Sequence, residues 1–144
     1  MNEEELIEVI RQRAAQAIVD FSDISDVKLG FDRESVAWFD SYIERMRNRT
    51  DFDDGTWRGL FHTIGAFLGE SILRKAGGSW RWSEKRQCWV IVLLTGDWSS
   101  PMTKVENQFK NGPEDSILSF YDVAIDFVAR GGLHDQAPPS AVSD

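Results

Sequence analysis

The spacing of apolar residues changes twice along this chain, and those changes limit the folds open to it. Over the first 76 residues apolar side chains recur every three or four positions, as in amphipathic helices. Between residues 79 and 94 the spacing shortens to alternation and then to a continuous apolar run, which is typical of strands. Helical spacing returns after Ser100. We therefore predict an α+β domain with three N-terminal helices, a small antiparallel sheet and two C-terminal helices.

Three helices are predicted before the sheet. The first covers residues 4–21, the second follows Asp32 as its N-cap, and the third follows Thr56 as its N-cap and extends to about residue 76. The third helix has the widest apolar stripe and is expected at the centre of the fold. Its Gly65 and Gly69 predict the close approach of a neighbouring element, because glycine otherwise weakens a helix. The first helix is expected to bury Leu6, Val9, Ile10, Ala14, Ala17, Ile18 and Phe21.

The sheet is predicted as a hairpin near residues 79–94, with its second strand buried on both faces and packed against the third helix. Ser100 and Pro101 are expected to begin a fourth helix that ends at Asn111 and Gly112. The last helix is expected to begin between residues 113 and 116 and to end at residues 131–132. We predict a single domain over residues 1–133 and a flexible tail over residues 134–144.

Charge and cysteine content restrict the class of protein. The chain has 24 acidic and 16 basic residues, a net charge of −8, which argues against a nucleic-acid or anionic-membrane binder. Its single cysteine cannot form an internal disulfide, its first ten residues are acidic, and no apolar run is long enough to span a membrane. We therefore expect a cytoplasmic protein.

Basic and aromatic residues are concentrated in the same part of the chain. Residues 56–100 carry six basic and three acidic side chains, although the chain as a whole is acidic. Four of the six tryptophans, Trp80, Trp82, Trp89 and Trp98, also lie there. Trp80 and Trp82 are two residues apart on a strand and share one face, with Arg81 on the other. Such rings either form the core between sheet and helices or provide a surface for stacking a ligand or a partner's side chain.

Two ionisable residues lie in the apolar part of the third helix. His62 is interpreted as a partly buried, hydrogen-bonded side chain rather than a ligand. The Glu70 carboxylate needs a partner, either an Arg or Lys of the hairpin or an indole N–H, or else it contacts a ligand. The sequence contains no nucleophile elbow, P-loop or dinucleotide-binding glycine motif, and the acidic loop from Asp51 to Gly55 does not have EF-hand spacing. We predict no metal, no cofactor and no catalytic residue.

Several segments together resemble one family. They are residues 65–70 (GAFLGE), residues 77–80 (GGSW), Pro101 with residues 104–109 (KVENQF), and residues 112–116 (GPEDS). Over residues 56–122 the chain resembles small bacterial proteins grouped as a domain of unknown function. The resemblance implies a bacterial protein and brings no established activity. In size and acidity the chain is also similar to accessory or immunity proteins that bind another protein.

Two functions follow from these observations. The first is a non-catalytic, accessory or immunity-like interaction module that binds a protein partner, or itself, through its acidic surface or its Trp and Arg hairpin. The alternative is a small-ligand-binding protein, or a weak enzyme, with a pocket between the helix over residues 56–76 and the Trp-rich sheet. The candidate binding residues are Glu70, Trp80, Arg81, Trp82, Trp98, Lys104 and Glu106.

Overall fold

Five helices and a three-stranded sheet make up residues 1–131, the part of the chain that this computed structural model describes. They are α1 (Glu3–Ser25), α2 (Arg33–Met46), α3 (Asp54–Ala76), β1 (Gly78–Ser83), β2 (Cys88–Leu93), β3 (Trp98–Ser99), α4 (Pro101–Asn111) and α5 (Ile117–Ala129). A 3-10 turn, Pro113–Asp115, joins α4 to α5. The predicted α+β architecture is confirmed. The predicted tail, residues 134–144, lies outside the described residues.

Side-chain caps fix most of the helix starts. Asp32 caps α2 as predicted, since its Oδ1 accepts a hydrogen bond from the Ser35 amide at 2.8 Å. The Ser100 cap of α4 is also confirmed. The predicted cap of α3 is wrong: Asp53 holds that position, and the amide of Thr56 donates to its Oδ1 at 2.8 Å. The Asp53 carboxylate caps the free Thr56 amide as well as a hydroxyl would, so α3 begins earlier than predicted, inside the expected loop.

The central position of α3 is confirmed. Its residues 64–72 are buried without interruption, and it contacts α1, α4 and α5. A helix buried on all sides can hold large and small residues in one run, because every face contacts a neighbour. None of the helices in the described part of the chain is long and apolar enough to cross a membrane.

The buried face of α1 is narrower than predicted. Ile10, Ala14 and Ala17 are buried, but Leu6 and Val9 are 39% and 40% exposed, so their predicted burial is wrong. These two residues lie toward the edge of the apolar stripe, and the periodic pattern does not show how wide a stripe the neighbouring helix covers.

The sheet has the order β1-β2-β3 and is antiparallel throughout. The register pairs Trp80 with Ile91 and Trp82 with Trp89. The two β1 tryptophans lie on one face of the strand, as their spacing of two residues predicts. Strand β3 was not predicted, because two residues are too few to show a period. The prediction that β2 is buried on both faces holds only in part: Val90 and Ile91 are buried, whereas Trp89 is half-buried.

Two glycines set how closely α3 packs on the elements that follow it. A Cβ on Gly69 would lie 2.2 Å from the ring of Trp80, and one on Gly65 would lie 2.7 Å from Cα of Met102. No side chain fits at these separations, so the predicted close approach is confirmed at both positions. The sheet and α4 are therefore held directly against α3.

A buried polar network positions α4 and α5. The side chain of Gln108 is fully buried, and its Oε1 accepts a hydrogen bond from the Ile117 amide at 2.8 Å. Its Nε2 donates to Oε2 of Glu44 at 2.9 Å and to Oδ1 of Asp40 at 3.2 Å. Asp40 Oδ2 also accepts from the Leu118 amide at 3.1 Å. Together these bonds join α2, α4 and the start of α5.

Candidate functional site

Two predicted site residues, Glu70 and Trp80, bind each other inside the protein. The indole Nε1 of Trp80 donates to Oε2 of Glu70 at 3.0 Å, and the two residues are 1% and 5% exposed, respectively. Arg74 Nε lies 3.6 Å from the same carboxylate and Arg11 Nε lies 3.9 Å from it. The carboxylate thus has the kind of partner that its sequence position required, and these contacts join α3 to β1 and α1.

Three further predicted residues are spread over the surface. Arg81 is exposed on β1. Trp98 lies under the guanidinium of Arg86, whose Cζ is 4.1 Å from the ring centroid. Lys104 extends over Phe120, with 5.2 Å between Nζ and the ring centroid. The structure therefore does not bring these three residues into one site with Glu70 and Trp80.

Trp82 and Trp89 form an aromatic pair at the hairpin end of the sheet. Their ring centroids are 5.6 Å apart and the rings are inclined by 69°, an edge-to-face contact. Both are half-buried. Unlike Trp80, they border open space on both sides and are the tryptophans of the hairpin that a ligand can reach.

Two neighbouring clefts lie on the surface of α3. The first, here called the outer cleft, lies between the end of α2, the start of α3 and α4. It has a volume of about 590 Å³. Its base is aromatic: Trp57 and Phe61 of α3 lie against Phe109 of α4, with ring centroids 5.4 and 5.6 Å from that of Phe109. The remaining lining residues are polar or charged: Arg47, Arg49, Asp54, Arg58, Glu106 and Lys110.

The second cleft, here called the inner cleft, lies between α3, the sheet and α4. It is more enclosed and has a volume of about 340 Å³. Its lining residues come from α3, β1, β2, α4 and the hairpin loop: Arg58, Phe61, His62, Trp82, Gln87, Cys88, Trp89, Met102, Thr103 and Glu106. A pocket between the third helix and the Trp-rich sheet is therefore present, and of the predicted site residues Trp82 and Glu106 line it.

The two clefts are adjacent, because Arg58, Phe61 and Glu106 line both. We refer to the two clefts together as the trough. It extends from the end of α2 to the Trp82 and Trp89 pair, and aromatic side chains line both clefts.

The electrostatics of the trough differ from those of the whole chain. Of its cations, Arg49 is paired with Asp51 and Lys110 with Glu106. Arg47 donates only to the backbone oxygen of Lys110, at 3.3 Å, and within residues 1–131 neither Arg47 nor Arg58 forms an ion pair. Two cationic side chains of the trough therefore have no ion-pair partner among the described residues, although the net charge of the chain is −8.

His62 is the titratable group of the inner cleft. Burial lowers its pKa below the ordinary value of 6.5, and the positive charges of Arg13 and Arg58 lower it further. The imidazole is therefore neutral near pH 7 and able to gain a proton when negative charge is brought close to it.

Sequence reasoning missed most of the trough. The run from Arg45 to Arg49 suits the negative end of the α2 dipole, which is a sufficient local explanation, and Phe61 lies on the apolar stripe of α3. Arg58 carried a signal as part of the basic region over residues 56–100, and Trp82 and Glu106 are the candidate binding residues that line the trough. The part of the chain described here contains no cluster of three or more His, Cys, Asp or Glu residues placed to hold a metal ion.

Comparisons of the chain with protein-family models, with curated proteins and with solved structures gave no match.

Proposed function

We propose that this protein is a non-catalytic interaction module that binds an acidic segment of a partner protein in the trough. The observation that carries the proposal is that the outer and inner clefts lie side by side and share Arg58, Phe61 and Glu106 as lining residues. An elongated, open depression fits an extended polypeptide better than it fits a compact small molecule, which is bound more often in an enclosed pocket.

Charge complementarity supports an acidic partner. Arg47 and Arg58 have no ion pair among the described residues, so their charges are available to a carboxylate brought in by a partner. A positive patch on an otherwise negative protein also orients an acidic segment as it approaches and disfavours other docking sites on the surface.

The aromatic base supports a protein rather than a free ion as the occupant. Trp57 and Phe61 are only half-buried. Partly exposed Trp, Phe and Arg side chains are the types that contribute most of the binding free energy at protein interfaces. An acidic segment that also carries apolar side chains would use both the rim and the base of the trough.

The non-catalytic and cytoplasmic parts of the proposal rest on the sequence. It contains no motif that activates a nucleophile or binds a nucleotide, and its single cysteine is compatible with a reducing compartment. The resemblance to accessory and immunity proteins is consistent with a role in binding another protein.

Selection of a phage-displayed library of random peptides on the immobilised protein tests this proposal. We expect enriched peptides to be rich in Asp and Glu with at least one apolar side chain, and Arg58→Glu to abolish their binding. The matched control is Lys28→Glu, which changes the net charge equally at an exposed position near the opposite end of α2. Enrichment without acidic residues, or equal loss in both variants, would contradict the proposal.

A small organic ligand held in the inner cleft alone is the second candidate function. The enclosure of that cleft by α3, the sheet and α4 favours it. An NMR screen of small organic acids tests it: shifts confined to inner-cleft residues would support a small ligand. Shifts that extend to Trp57 and Phe109 would instead favour a bound segment.

A further inference from the structure

The walls of the inner cleft have the shape and chemistry of a site for one aromatic ring. Phe61, Met102, Trp82 and Trp89 supply apolar surface from four different elements. The edge-to-face arrangement of the two tryptophans leaves ring faces and edges for a third ring to contact. The volume of about 340 Å³ is at the small end of the usual range for ligand pockets, about 300–1,000 Å³.

The same cleft has unbalanced positive charge. Arg58 and His62 are four residues apart on α3 and so lie on one face of it. Arg13 of α1 is close enough to oppose protonation of His62. Among the described residues, the one carboxylate that lines the inner cleft belongs to Glu106 of α4, and it forms an ion pair with Lys110. The thiol of Cys88 on β2 also lines this cleft. In residues 1–131 no carboxylate forms an ion pair with Arg13 or Arg58.

An acidic segment bound in the trough would end in the inner cleft, because negative charge lies beyond it. Beyond Trp82 and Trp89 lies a third cleft, lined by Glu3, Leu6 and Glu84 together with the two tryptophans. The Glu3 carboxylate is held there, since its Oε1 accepts a hydrogen bond from the Trp82 amide at 2.9 Å. Two glutamates would repel an acidic segment that continued past the tryptophans.

We propose that the inner cleft binds the C-terminal aromatic residue of the partner segment, with its ring against Trp82 and Trp89 and its terminal carboxylate on Arg58 beside His62. This inference rests on the proposed function, because it assigns the end of a segment that the rest of the trough holds. It adds the chemical class of the recognised group, an aromatic carboxylate at a chain terminus.

Binding of that carboxylate is coupled to a proton. A negative group beside His62 favours the imidazolium, so the pKa of His62 rises in the complex and a proton is taken up. Affinity therefore increases as the pH falls from about 7.5 toward 5.5, where the free imidazole is still partly neutral.

The test uses synthetic acetylated peptides of alternating Asp and Glu that end in Gly-Phe, with either a free carboxyl or an amide terminus. A third peptide carries the amide and one additional internal Asp, so that its charge equals that of the free acid. Cys88 is the sole cysteine, so protection of Cys88 from iodoacetamide reports occupancy of the inner cleft without background. Affinities are measured by isothermal titration calorimetry.

We expect the free acid to bind about tenfold more tightly than either amide and to protect Cys88, as a charge-assisted pair with a guanidinium would provide. Arg58→Gln should remove the preference for the acid. His62→Gln should retain the preference for the free acid, but its affinity should no longer increase as the pH falls. In the wild type the NMR titration of His62 should move to higher pH when the free acid is bound.

Equal affinity of the acid and the charge-matched amide would overturn this inference while leaving binding in the outer cleft, and with it the proposed function, intact. If no peptide binds but phenylacetate alone protects Cys88, the assignment of the inner cleft to a partner's C-terminus and the proposed function are both wrong. The small-ligand alternative is then correct. If neither the peptides nor phenylacetate protect Cys88, the inner cleft is not a site for aromatic carboxylates.

Discussion

At the scale of single residues, the segments over residues 65–70, 77–80 and 112–116 are explained by contacts within the fold. Gly65 and Gly69 admit Met102 and the Trp80 ring, and Glu70 accepts the Trp80 indole hydrogen. Gly112 has a positive φ of 92° at the end of α4, and Ser116 caps α5. The pattern thus specifies how α3, the sheet, α4 and α5 fit together. It contributes little to the trough, whose base and cations lie mostly outside these segments.

Replacing Gly69 tests this interpretation. Gly69→Ala should reduce the free energy of unfolding by about 1–3 kcal/mol, because the added methyl overlaps the buried Trp80 ring. The matched control is Gly59→Ala in the same helix, where a Cβ meets nothing within 4 Å. It should stabilise the protein by up to about 1 kcal/mol, since alanine is the better helix former. Urea unfolding of both variants measures the difference, and equal effects would contradict the close packing of α3 on β1.

At the scale of elements, the trough is built from the ends and outer faces of several helices. The end of α2 supplies Arg47, the first half of α3 supplies Trp57, Arg58 and Phe61, and α4 supplies Phe109. Their relative positions depend on how α4 docks against α3, α2 and the start of α5, and Gln108 forms hydrogen bonds with both α2 and α5.

Removing the amide of Gln108 should therefore weaken both the fold and the trough. Gln108→Leu removes the hydrogen bonds that Gln108 forms with the Ile117 amide, Asp40 and Glu44, and we expect a loss of about 2–3 kcal/mol in urea unfolding. The side chain of its neighbour Asn107 forms no hydrogen bond among those observed in the described chain, and Asn107→Ala should change stability by less than about 0.5 kcal/mol. A similarly small effect of Gln108→Leu would show that apolar contacts alone hold α4.

At the scale of the whole molecule, the acidic composition is compensated by local pairing. Hydrogen bonds from the Arg49 guanidinium lower the pKa of Asp51, and the Arg33 guanidinium lowers that of Asp122. The Thr56 amide lowers the pKa of Asp53, the cap of α3. Two of these three aspartates precede α3 directly, next to the outer cleft.

These pKa shifts predict acid sensitivity. Each carboxyl has a lower pKa in the folded state than its ordinary value of 3.8, so the unfolded chain binds more protons in acid. The stabilisation is complete well above pH 3.8 and is lost as the pH falls through the lower, folded-state values. Urea unfolding from pH 6 downward should show this decrease, and Asp53→Asn or Asp122→Asn should reduce its slope.

The control for the acid experiment is Asp23→Asn. Asp23 is an exposed aspartate of α1 whose side chain forms no hydrogen bond or ion pair within the described residues, and this substitution should leave the slope unchanged. Equal slopes for all variants would mean that other carboxyls determine acid stability.

The sequence by itself determined the order and type of the long elements, because each has a period or a cap that is local in the chain. The α2 cap at Asp32, the α4 start at Ser100 and the hairpin near residues 79–94 were all predicted in this way. The two-residue β3 was not, since pairing with Ile91 and Val92 alone makes it a strand.

Tertiary structure decided which aromatic and charged residues face solvent. Trp80 and Trp82 lie on one face of β1 and have the same residue type, yet α3 covers the first and the trough exposes the second. Arg47 and Arg58 are 11 positions apart and belong to different helices, and their shared cleft exists only because α4 packs beside both. A cleft is the space that packed elements leave between them, so periodicity along one element cannot reveal it.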